Sequence, residues 1–344
     1  MKILSNSFNQ VIFICCLLFL ISCNLKKKDQ NLVLDANNQR QIESVFNADS
    51  AYAFIGQQVA FGPRVPNSEA HKKCGIFLID KMQQFCDTVF IQNVLLKAYN
   101  NEKLQAKNII GVFNPEIRKR ILLFAHWDSR PYSDQDIDER NYNKPIDGAD
   151  DGASGVGVLL EVARQIKLKD INIGIDIIFF DAEDYGVPNF IESKLADTYC
   201  LGSQYWSQNP HVANYKAEFG ILLDMVGSEN AKFYKELYSV QNASNIVDLV
   251  WNTAQNKGFD KYFINENIGA ITDDHLYVMK GRNIPCIDII SCDPTTHHGF
   301  GFYWHTQQDN MNNISNETLN AVGQVIMEII YTHYCPLKMD KVKN

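Results

Sequence analysis

Three acidic residues follow a strongly apolar run in the middle of the chain. Residues 175–180 are largely apolar, β-branched or aromatic, which predicts a buried strand. Asp181, Glu183 and Asp184 come directly after it. Carboxylates at the end of a buried strand are costly unless a metal, a proton or a partner neutralises them. The adjacent pair suggests that one carboxylate binds a metal and the other transfers a proton, although an acidic loop without chemistry fits this stretch equally well.

Two more apolar strands, predicted at residues 121–125 and 219–223, also end in side chains of this kind, and two loops add others. Ligands of open α/β sheets bind outside the carboxyl ends of the strands, so these side chains are expected to converge at one edge. Histidine nitrogen and carboxylate oxygen together are suitable ligands for zinc. The residues expected there are His126, Asp128, Asp151, Glu183, Asp184, Asp224 and His305.

Strands and helices alternate along most of the chain. Strands are predicted at residues 89–99, 108–113, 121–125, 175–180, 219–223 and 284–290, and helices at 49–61, 68–85, 156–166, 201–208, 246–255, from 272 onward and around 319–330. This alternation predicts an α/β protein, a three-layer α/β/α sandwich around a central mixed, mostly parallel sheet. A single catalytic domain is predicted over residues 39–336, with a C-terminal tail over 337–344.

The N-terminus has the features of an export signal. Lys2 is followed by an apolar stretch, residues 11–21, that is short for a membrane span. The stretch ends in Leu20-Ile21-Ser22-Cys23, which resembles a bacterial lipoprotein signal. We therefore predict a signal peptide over residues 1–22, a lipid on Cys23 and a tether over 23–38. An uncleaved anchor or an ordinary signal peptide is the alternative. The expected location is that of an exported lipoprotein in the bacterial periplasm or outer membrane.

Charge and cysteine content exclude some classes of protein. The 344 residues carry a formal net charge of −8, which gives no indication of a nucleic-acid partner. The cysteines beyond the N-terminal segment show no C-x-x-C spacing, so a zinc–thiolate site is not expected. We expect them to be buried free thiols.

Six motifs together resemble the zinc glutaminyl cyclases of the animal type, which occur also as exported proteins in some bacteria and share their fold with zinc aminopeptidases. The resemblance covers roughly residues 49–334. The motifs are Ala125-His126-Trp127-Asp128-Ser129, Gly148-Ala149-Asp150-Asp151, Phe180-Asp181-Ala182-Glu183-Asp184, Leu223-Asp224-Met225-Val226-Gly227, Asp273-Asp274-His275 and Trp304-His305-Thr306.

The resemblance implies a metal site and a reaction. Asp151, Asp184 and His305 would bind one zinc and leave a fourth position open. Animal enzymes usually have glutamate where this chain has Asp184. Glu183 would act as the general acid/base while zinc polarises the γ-carbonyl of an N-terminal glutamine. The implied products are a pyroglutamyl peptide and ammonia, so the implied partners are peptides or proteins with a free N-terminal glutamine.

The resemblance also assigns supporting residues. Asp224 and Asp273 match the two acids that form hydrogen bonds around the leaving amide. Trp304 and Phe300 match aromatic residues that line the small glutamine pocket. A second tryptophan of the family has no counterpart, since Asn189 and Phe190 occupy that region. Helix or loop capping is the simpler explanation for the acids, and core packing is the simpler one for the aromatic residues.

Two other functions fit the same residue types. A binuclear zinc aminopeptidase would use His126 and Asp224 for a second metal, and both are present. In the cyclases the equivalents of these two residues are present without a second metal, so His126 is expected to be structural or hydrogen-bonding. A catalytically inactive relative would lack the base or a ligand, whereas Glu183 and the three predicted ligands are retained. The sequences of the six motifs favour the cyclase over these two alternatives.

Overall fold

The order of strands in the sheet determines where the predicted site residues meet. The fold was analysed in a computed structural model that describes residues 46–169 and 171–334. The predicted signal peptide, Cys23, the tether and the C-terminal tail lie outside the described residues.

Six strands form the central sheet in the order β1-β2-β4-β3-β5-β8. Their bounds are β1 Thr88–Lys97, β2 Lys103–Phe113, β3 Arg120–His126, β4 Gly174–Phe180, β5 Gly220–Asp224 and β8 Cys286–Ile290. The pairs β1–β2 and β2–β4 are antiparallel, whereas β4–β3, β3–β5 and β5–β8 are parallel. The predicted mixed sheet with more parallel than antiparallel pairs is confirmed.

Helices cover both faces of the sheet. They are α1 Ala48–Val59, α2 Glu69–Phe85, α3 Ala153–Leu168, α4 Leu201–Gln208, α5 Leu237–Asn256, α6 Asp274–Arg282 and α7 Asn316–Glu328. Side chains of α1, α2, α3, α5 and α7 pack together with alternate residues of β3 and β4 in the larger core. The remaining core residues of these strands pack with α4 and α6 on the opposite face. This is the predicted three-layer sandwich.

Helix α3 lies very close to the sheet, which is important because Asp151 comes just before its N-cap residue, Gly152. A Cβ atom on Gly155 would come within 2.1 Å of the Leu223 carbonyl oxygen of β5. Only glycine permits this approach, so it fixes the start of α3 beside the ends of the central strands.

The structure corrects two details of the predicted elements. A separate pair of short strands, β6 Phe233–Lys235 and β7 Phe263–Asn267, was not predicted. Helix α5 begins at Leu237, not at residue 246, because Glu236 caps its first turn and Ala243 interrupts its geometry with φ of −145°. That polar, kinked first half lacks the apolar periodicity from which helices are predicted.

Two further observations concern membrane-spanning helices and the cysteine thiols. Among the described residues, no helix has the length and apolar character needed to cross a membrane. The five cysteines of the described ranges are buried free thiols, as expected from the sequence.

Candidate metal and catalytic site

The carboxyl ends of the central parallel strands bring the predicted residues together. His126 is the last residue of β3 and Asp224 the last of β5. The acid pair follows β4, which is paired in register with β3 up to Phe180 opposite His126. The strand ends therefore meet at one edge, as the sequence predicts.

A tight turn sets the directions of Glu183 and Asp184. Ala182 adopts a left-handed backbone with φ of 55°. The carboxylate of Asp128 then accepts hydrogen bonds from the backbone N–H groups of Glu183, at 3.0 Å, and of Asp184, at 3.2 Å. Asp128 was predicted among the site residues without a role, and the structure shows that it orients this turn.

The third acid of the opening stretch, Asp181, does not join the site. Both of its carboxylate oxygens lie 2.9 Å from Nε2 of His71, whose ring stacks on Trp127 at 4.3 Å between centroids. Asp181 is therefore a supporting residue of the buried interior.

Asp151 precedes α3 and is held in place by hydrogen bonds from the backbone. Its N–H and that of Asp150 donate to the carboxylate of Asp309, at 3.1 and 2.8 Å. The helix is capped at Gly152, where no side chain accepts a capping hydrogen bond. The Asp151 side chain is thus not used as a cap of α3 and is directed to the edge of the sheet.

Asp151, Asp184 and His305 form one group of candidate ligands, with one ligand atom of each within 4.8 Å of the others. His305 Nε2 lies 3.5 Å from Asp151 Oδ2 and 3.4 Å from Asp184 Oδ1. Asp184 Oδ2 is buried and has no hydrogen-bond partner. A buried carboxylate oxygen without a partner is costly, and a cation would stabilise it. Two carboxylates and one imidazole fit zinc with an open fourth position.

His126, Asp151 and Asp224 form a second group. His126 Nε2 lies 3.0 Å from Asp151 Oδ1 and 3.2 Å from Asp224 Oδ1. Burial opposes a charge on the imidazole, but the surrounding carboxylates outweigh burial and raise the pKa of His126 well above its usual value. Asp151 thus has one oxygen toward each histidine, and the second group suits either a protonated imidazole or another zinc.

Glu183 lies beside both groups without belonging to either. Its Oε1 accepts a hydrogen bond from the Cys200 thiol at 3.0 Å, and the two residues form a third group with Asp273. Burial, reinforced by the neighbouring acids, raises the pKa of Glu183 well above its ordinary range. A carboxyl group with a raised pKa, next to a metal site, is suited to exchange protons near neutral pH. Sequence reasoning missed Cys200, since a single cysteine carries no spacing signal.

The two supporting acids have different surroundings. Asp273 is the N-cap residue of α6 and accepts a hydrogen bond from the N–H of Asp274. Its predicted alternative role as a helix cap is therefore real, and its second oxygen remains available to the site. Burial and the nearby charge of Asp224 raise the pKa of Asp273 to about 7, whereas that of Asp224 is raised by burial to about 6.

A buried arginine that was not predicted from the sequence supports two of the candidate ligands, Asp184 directly and His305 through Asp134. Arg130 donates two hydrogen bonds of 2.7 Å to the two oxygens of Asp134. A third nitrogen of the guanidinium lies 3.2 Å from Asp184 Oδ1. Asp134 Oδ1 in turn lies 3.4 Å from His305 Nδ1, the ring nitrogen opposite the ligand atom. A carboxylate behind a ligating histidine fixes the orientation of its ring.

Aromatic rings line the side of the site above His305. The Trp304 ring stacks on the His305 ring with 3.7 Å between centroids, and Phe300 packs against Trp304 at 4.7 Å. Both are partly buried against a small apolar cluster. Phe190, in the region where the family has its second tryptophan, is instead stacked on Tyr142 and is 41% exposed.

A mixed α/β/α sandwich with aspartate, glutamate and histidine at the carboxyl edge of its sheet defines the zinc aminopeptidase-like class of proteins. Within this class, the chain belongs to Peptidase family M28, whose model matches residues 108–330. Zinc is consistent with this family and with the ligand types at the site.

Solved structures and curated proteins show the same relationship. Glutaminyl cyclase of Tannerella forsythia is 61% identical, with a TM-score of 0.83, over 84% of this chain and 99% of that one. A Zn-dependent exopeptidase of Parabacteroides distasonis is 60% identical, with the same TM-score, over 83% and 98%. Aminopeptidase YwaD of Bacillus subtilis is 29% identical over 84% of this chain. Glutaminyl-peptide cyclotransferases of cattle and snakes match at 22–24% identity. The chain spans 59–66% of the length of these curated relatives.

Proposed function

We propose that this protein is a zinc-dependent glutaminyl-peptide cyclotransferase, which converts the N-terminal glutamine of peptides to pyroglutamate with release of ammonia. The observation that carries the proposal is the aromatic wall, in which Trp304 stacks on the candidate ligand His305 and Phe300 packs behind it. Flat rings beside a metal site suit a small side chain that ends in a planar amide. The 61% identity to a bacterial glutaminyl cyclase over almost its whole length supports the same conclusion.

The reaction is an attack of the substrate's α-amine on its own γ-amide carbon. A zinc bound by Asp151, Asp184 and His305 supplies Lewis-acid polarisation of the γ-carbonyl. Glu183 accepts a proton from the α-ammonium group, so that the nitrogen becomes a nucleophile. As the new N–C bond forms and the bond to the amide nitrogen breaks, Glu183 delivers this proton to the amide nitrogen, which leaves as ammonia. The attacking nitrogen loses its second proton to Glu183 as it becomes the lactam nitrogen, and this proton passes to the ammonia, which departs as ammonium. Burial raises the pKa of Glu183 well above its ordinary range, which makes its carboxylate a stronger base toward the ammonium proton.

Asp224 and Asp273 support this exchange. Asp273 groups with Glu183 and Cys200 within ligand-atom distances of 4.8 Å, which places its carboxyl group near the departing amide nitrogen. A carboxyl group with a pKa of about 7 forms hydrogen bonds as a donor or as an acceptor near neutral pH.

We further propose one zinc per chain. In this proposal His126 carries a proton and bridges Asp151 and Asp224 at 3.0 and 3.2 Å, so that the second group needs no metal. The raised pKa of His126 supports this assignment.

The decisive experiment combines metal analysis with two activity assays. Purified protein is expected to contain one zinc per chain and to release ammonia from peptides with an N-terminal glutamine. Two zincs per chain, with amino acid release from peptides that lack glutamine, would contradict the proposal.

That contrary outcome is the second candidate function, a binuclear zinc aminopeptidase. It is favoured by the shared position of Asp151 between two histidines and by the similarity to a Zn-dependent exopeptidase. The rings of Trp304 and Phe300 beside His305 favour the cyclase over this alternative.

The proposed location is that of an exported lipoprotein of the bacterial periplasm or outer membrane, anchored by lipid on Cys23, with no nucleic-acid partner. Labelled palmitate is expected to be incorporated into the wild-type chain and not into a Cys23→Ser variant. Equal labelling of both would contradict the lipid anchor.

A further inference from the structure

The beginning of helix α4 is packed against the tight turn that carries the acid pair. The Cys200 N–H donates to the Glu183 carbonyl oxygen at 2.8 Å. The Leu201 N–H donates to the Ala182 carbonyl oxygen at 3.1 Å. Two consecutive residues at the start of α4 therefore hold two consecutive residues of the turn.

The same contact continues one residue further along both segments. A Cβ atom on Gly202 would come within 2.2 Å of the Asp181 carbonyl oxygen, so only glycine permits the approach. Asn108 joins the two segments, since its side chain accepts from the Asp181 N–H and donates to the Gly202 carbonyl oxygen, each at 3.0 Å. The turn and the first residues of α4 are thus fixed relative to each other through their backbones.

The Cys200 side chain adds one contact to this arrangement, and the contact is with the proposed proton carrier. Its thiol donates to Glu183 Oε1, with the sulfur 3.0 Å from the oxygen. Among the residues that the structure describes, no other group donates a hydrogen bond to this carboxylate. Cys200 is fully buried, whereas Glu183 is half-buried. The thiol therefore holds one carboxylate oxygen from the interior, and the second oxygen is left for the substrate.

The backbone at Cys200 indicates that its side chain is needed for this contact. Cys200 has a left-handed conformation with φ of 57°, which is uncommon for residues other than glycine. Glycine would fit this backbone more readily, but it has no side chain that could reach Glu183. Ala182, on the other side of the contact, has the same kind of backbone with φ of 55°. Such conformations are retained where the surroundings determine them, and functional sites are common among these places.

A thiol is well suited to hold a general base. Burial, reinforced by the negative charge of Glu183, raises the pKa of the Cys200 thiol well above its ordinary value, so the group stays protonated and remains a donor. An S–H group is a weak donor. It therefore orients the carboxylate, whereas a charged donor in its place would stabilise the ionised form and make Glu183 a weaker base.

We propose that Cys200 is a positioning residue of the cyclisation reaction, which acts through Glu183 by holding its carboxylate with one oxygen toward the substrate. The inference rests on the proposed cyclotransferase function and extends it to a residue that does not itself touch the substrate. The oxygen that the thiol does not hold accepts the ammonium proton and delivers it to the leaving nitrogen.

The first test removes the thiol and follows ammonia release from a peptide with an N-terminal glutamine. In Cys200→Ala, kcat is expected to fall about tenfold, because the released carboxylate is no longer held in one orientation, while KM changes less than about twofold and zinc is retained. Cys200→Ser keeps a donor at this position and is expected to recover most of the loss. Cys200→Gly suits the left-handed backbone and is expected to lose kcat as Cys200→Ala does.

The matched control is a buried thiol far from the turn. Cys86 is also buried and free, and its sulfur contacts Met82 in the larger core. Cys86→Ala is expected to leave kcat and KM unchanged. The comparison separates the loss of a contact with Glu183 from the loss of a buried thiol in general.

A double variant separates positioning from a general loss of structure. In the Glu183→Gln background, Cys200→Ala is expected to lower kcat less than about twofold, since no base remains to be positioned. An equal loss in both backgrounds would overturn the proposal, because it indicates a purely structural role.

Two other results would also overturn it. One is a kcat of both Cys200→Ala and Cys200→Gly close to that of the wild type. The other is a Cys200→Ser variant that is no more active than Cys200→Ala. Failure of the wild-type protein to release ammonia from any such peptide would instead overturn the proposed function, and this inference with it.

Discussion

Replacing Arg130 by glutamine removes the guanidinium that contacts the candidate ligand Asp184 directly and the candidate ligand His305 through Asp134. Arg130 and Asp134 are both fully buried in their side chains and are joined by two hydrogen bonds of 2.7 Å. Burial alone would raise the pKa of Asp134, but Arg130 and His305 outweigh burial and hold it far below the usual range. Removal of one partner from a buried ion pair typically costs about 3–5 kcal/mol, because the other charge is left uncompensated. We expect that loss of unfolding free energy in Arg130→Gln, together with a roughly 10- to 100-fold weaker affinity for zinc, since Asp184 and His305 lose their support.

Urea unfolding at neutral pH, with and without a zinc chelator, measures both quantities. Arg140→Gln is the control, because Arg140 forms the same kind of pair with Asp138 but its side chain is 88% exposed. An exposed pair of this kind is expected to contribute less than about 1 kcal/mol. The double variant Arg130→Gln/Asp134→Asn should lose less than the sum of the single losses, since it leaves no uncompensated charge. A stability of Arg130→Gln within about 1 kcal/mol of wild type, with unchanged zinc affinity, would refute this reasoning.

Three further predictions concern catalysis, substrate binding and pH. Glu183→Gln should retain zinc by metal analysis while kcat falls at least about 100-fold, and activity near wild type would show that another group transfers the proton. Phe300→Ala should raise KM for N-terminal glutamine peptides with little change in zinc content, and an unchanged KM would exclude Phe300 from the substrate pocket. Burial, reinforced by the charge of Asp273, raises the pKa of Asp274 to about 8, so the folded state retains a proton that the unfolded state loses above pH 4. The stabilisation from this proton is complete below pH 4 and is lost as pH rises toward 8, by up to about 1.4 kcal/mol per pH unit. Asp274→Asn should therefore gain stability relative to wild type at pH 8 compared with pH 5 in urea unfolding, and an equal difference at both pH values would contradict the pKa shift.

The site residues at the edge of the sheet were predictable because they directly follow apolar runs that predict buried strands. Each central parallel strand is a short apolar run, and β3 and β5 end directly on His126 and Asp224. The change from apolar residues to histidine and carboxylates can be read from the sequence alone. Parallel strands then place these residues at the same edge of the sheet. The layered α/β/α fold followed from the same alternation and is confirmed by the two cores on opposite faces.

The supporting contacts were not predictable, since they join residues far apart in the chain. Asp309 holds the backbone of Asp151 from 158 positions away, and Cys200 reaches Glu183 across the loop after β4. Arg130 lies in a polar stretch whose composition resembles that of a solvated loop, yet its side chain is fully buried. These roles depend on which loops pack together, and local composition carries no information about that packing.

The position of Asp151 has a consequence for how metal content should be measured. Because its two oxygens serve two different histidines, a proton on His126 and a second zinc would compete for the same carboxylate. The second position then behaves as an exchange site, in which one zinc is taken up as one proton is released. On the proposal of one zinc per chain, the stoichiometry should stay at one ion at neutral pH, and only alkaline, zinc-rich buffer should add a second. A dialysis series across zinc concentration and pH would give the metal number that applies during turnover, which a single preparation does not.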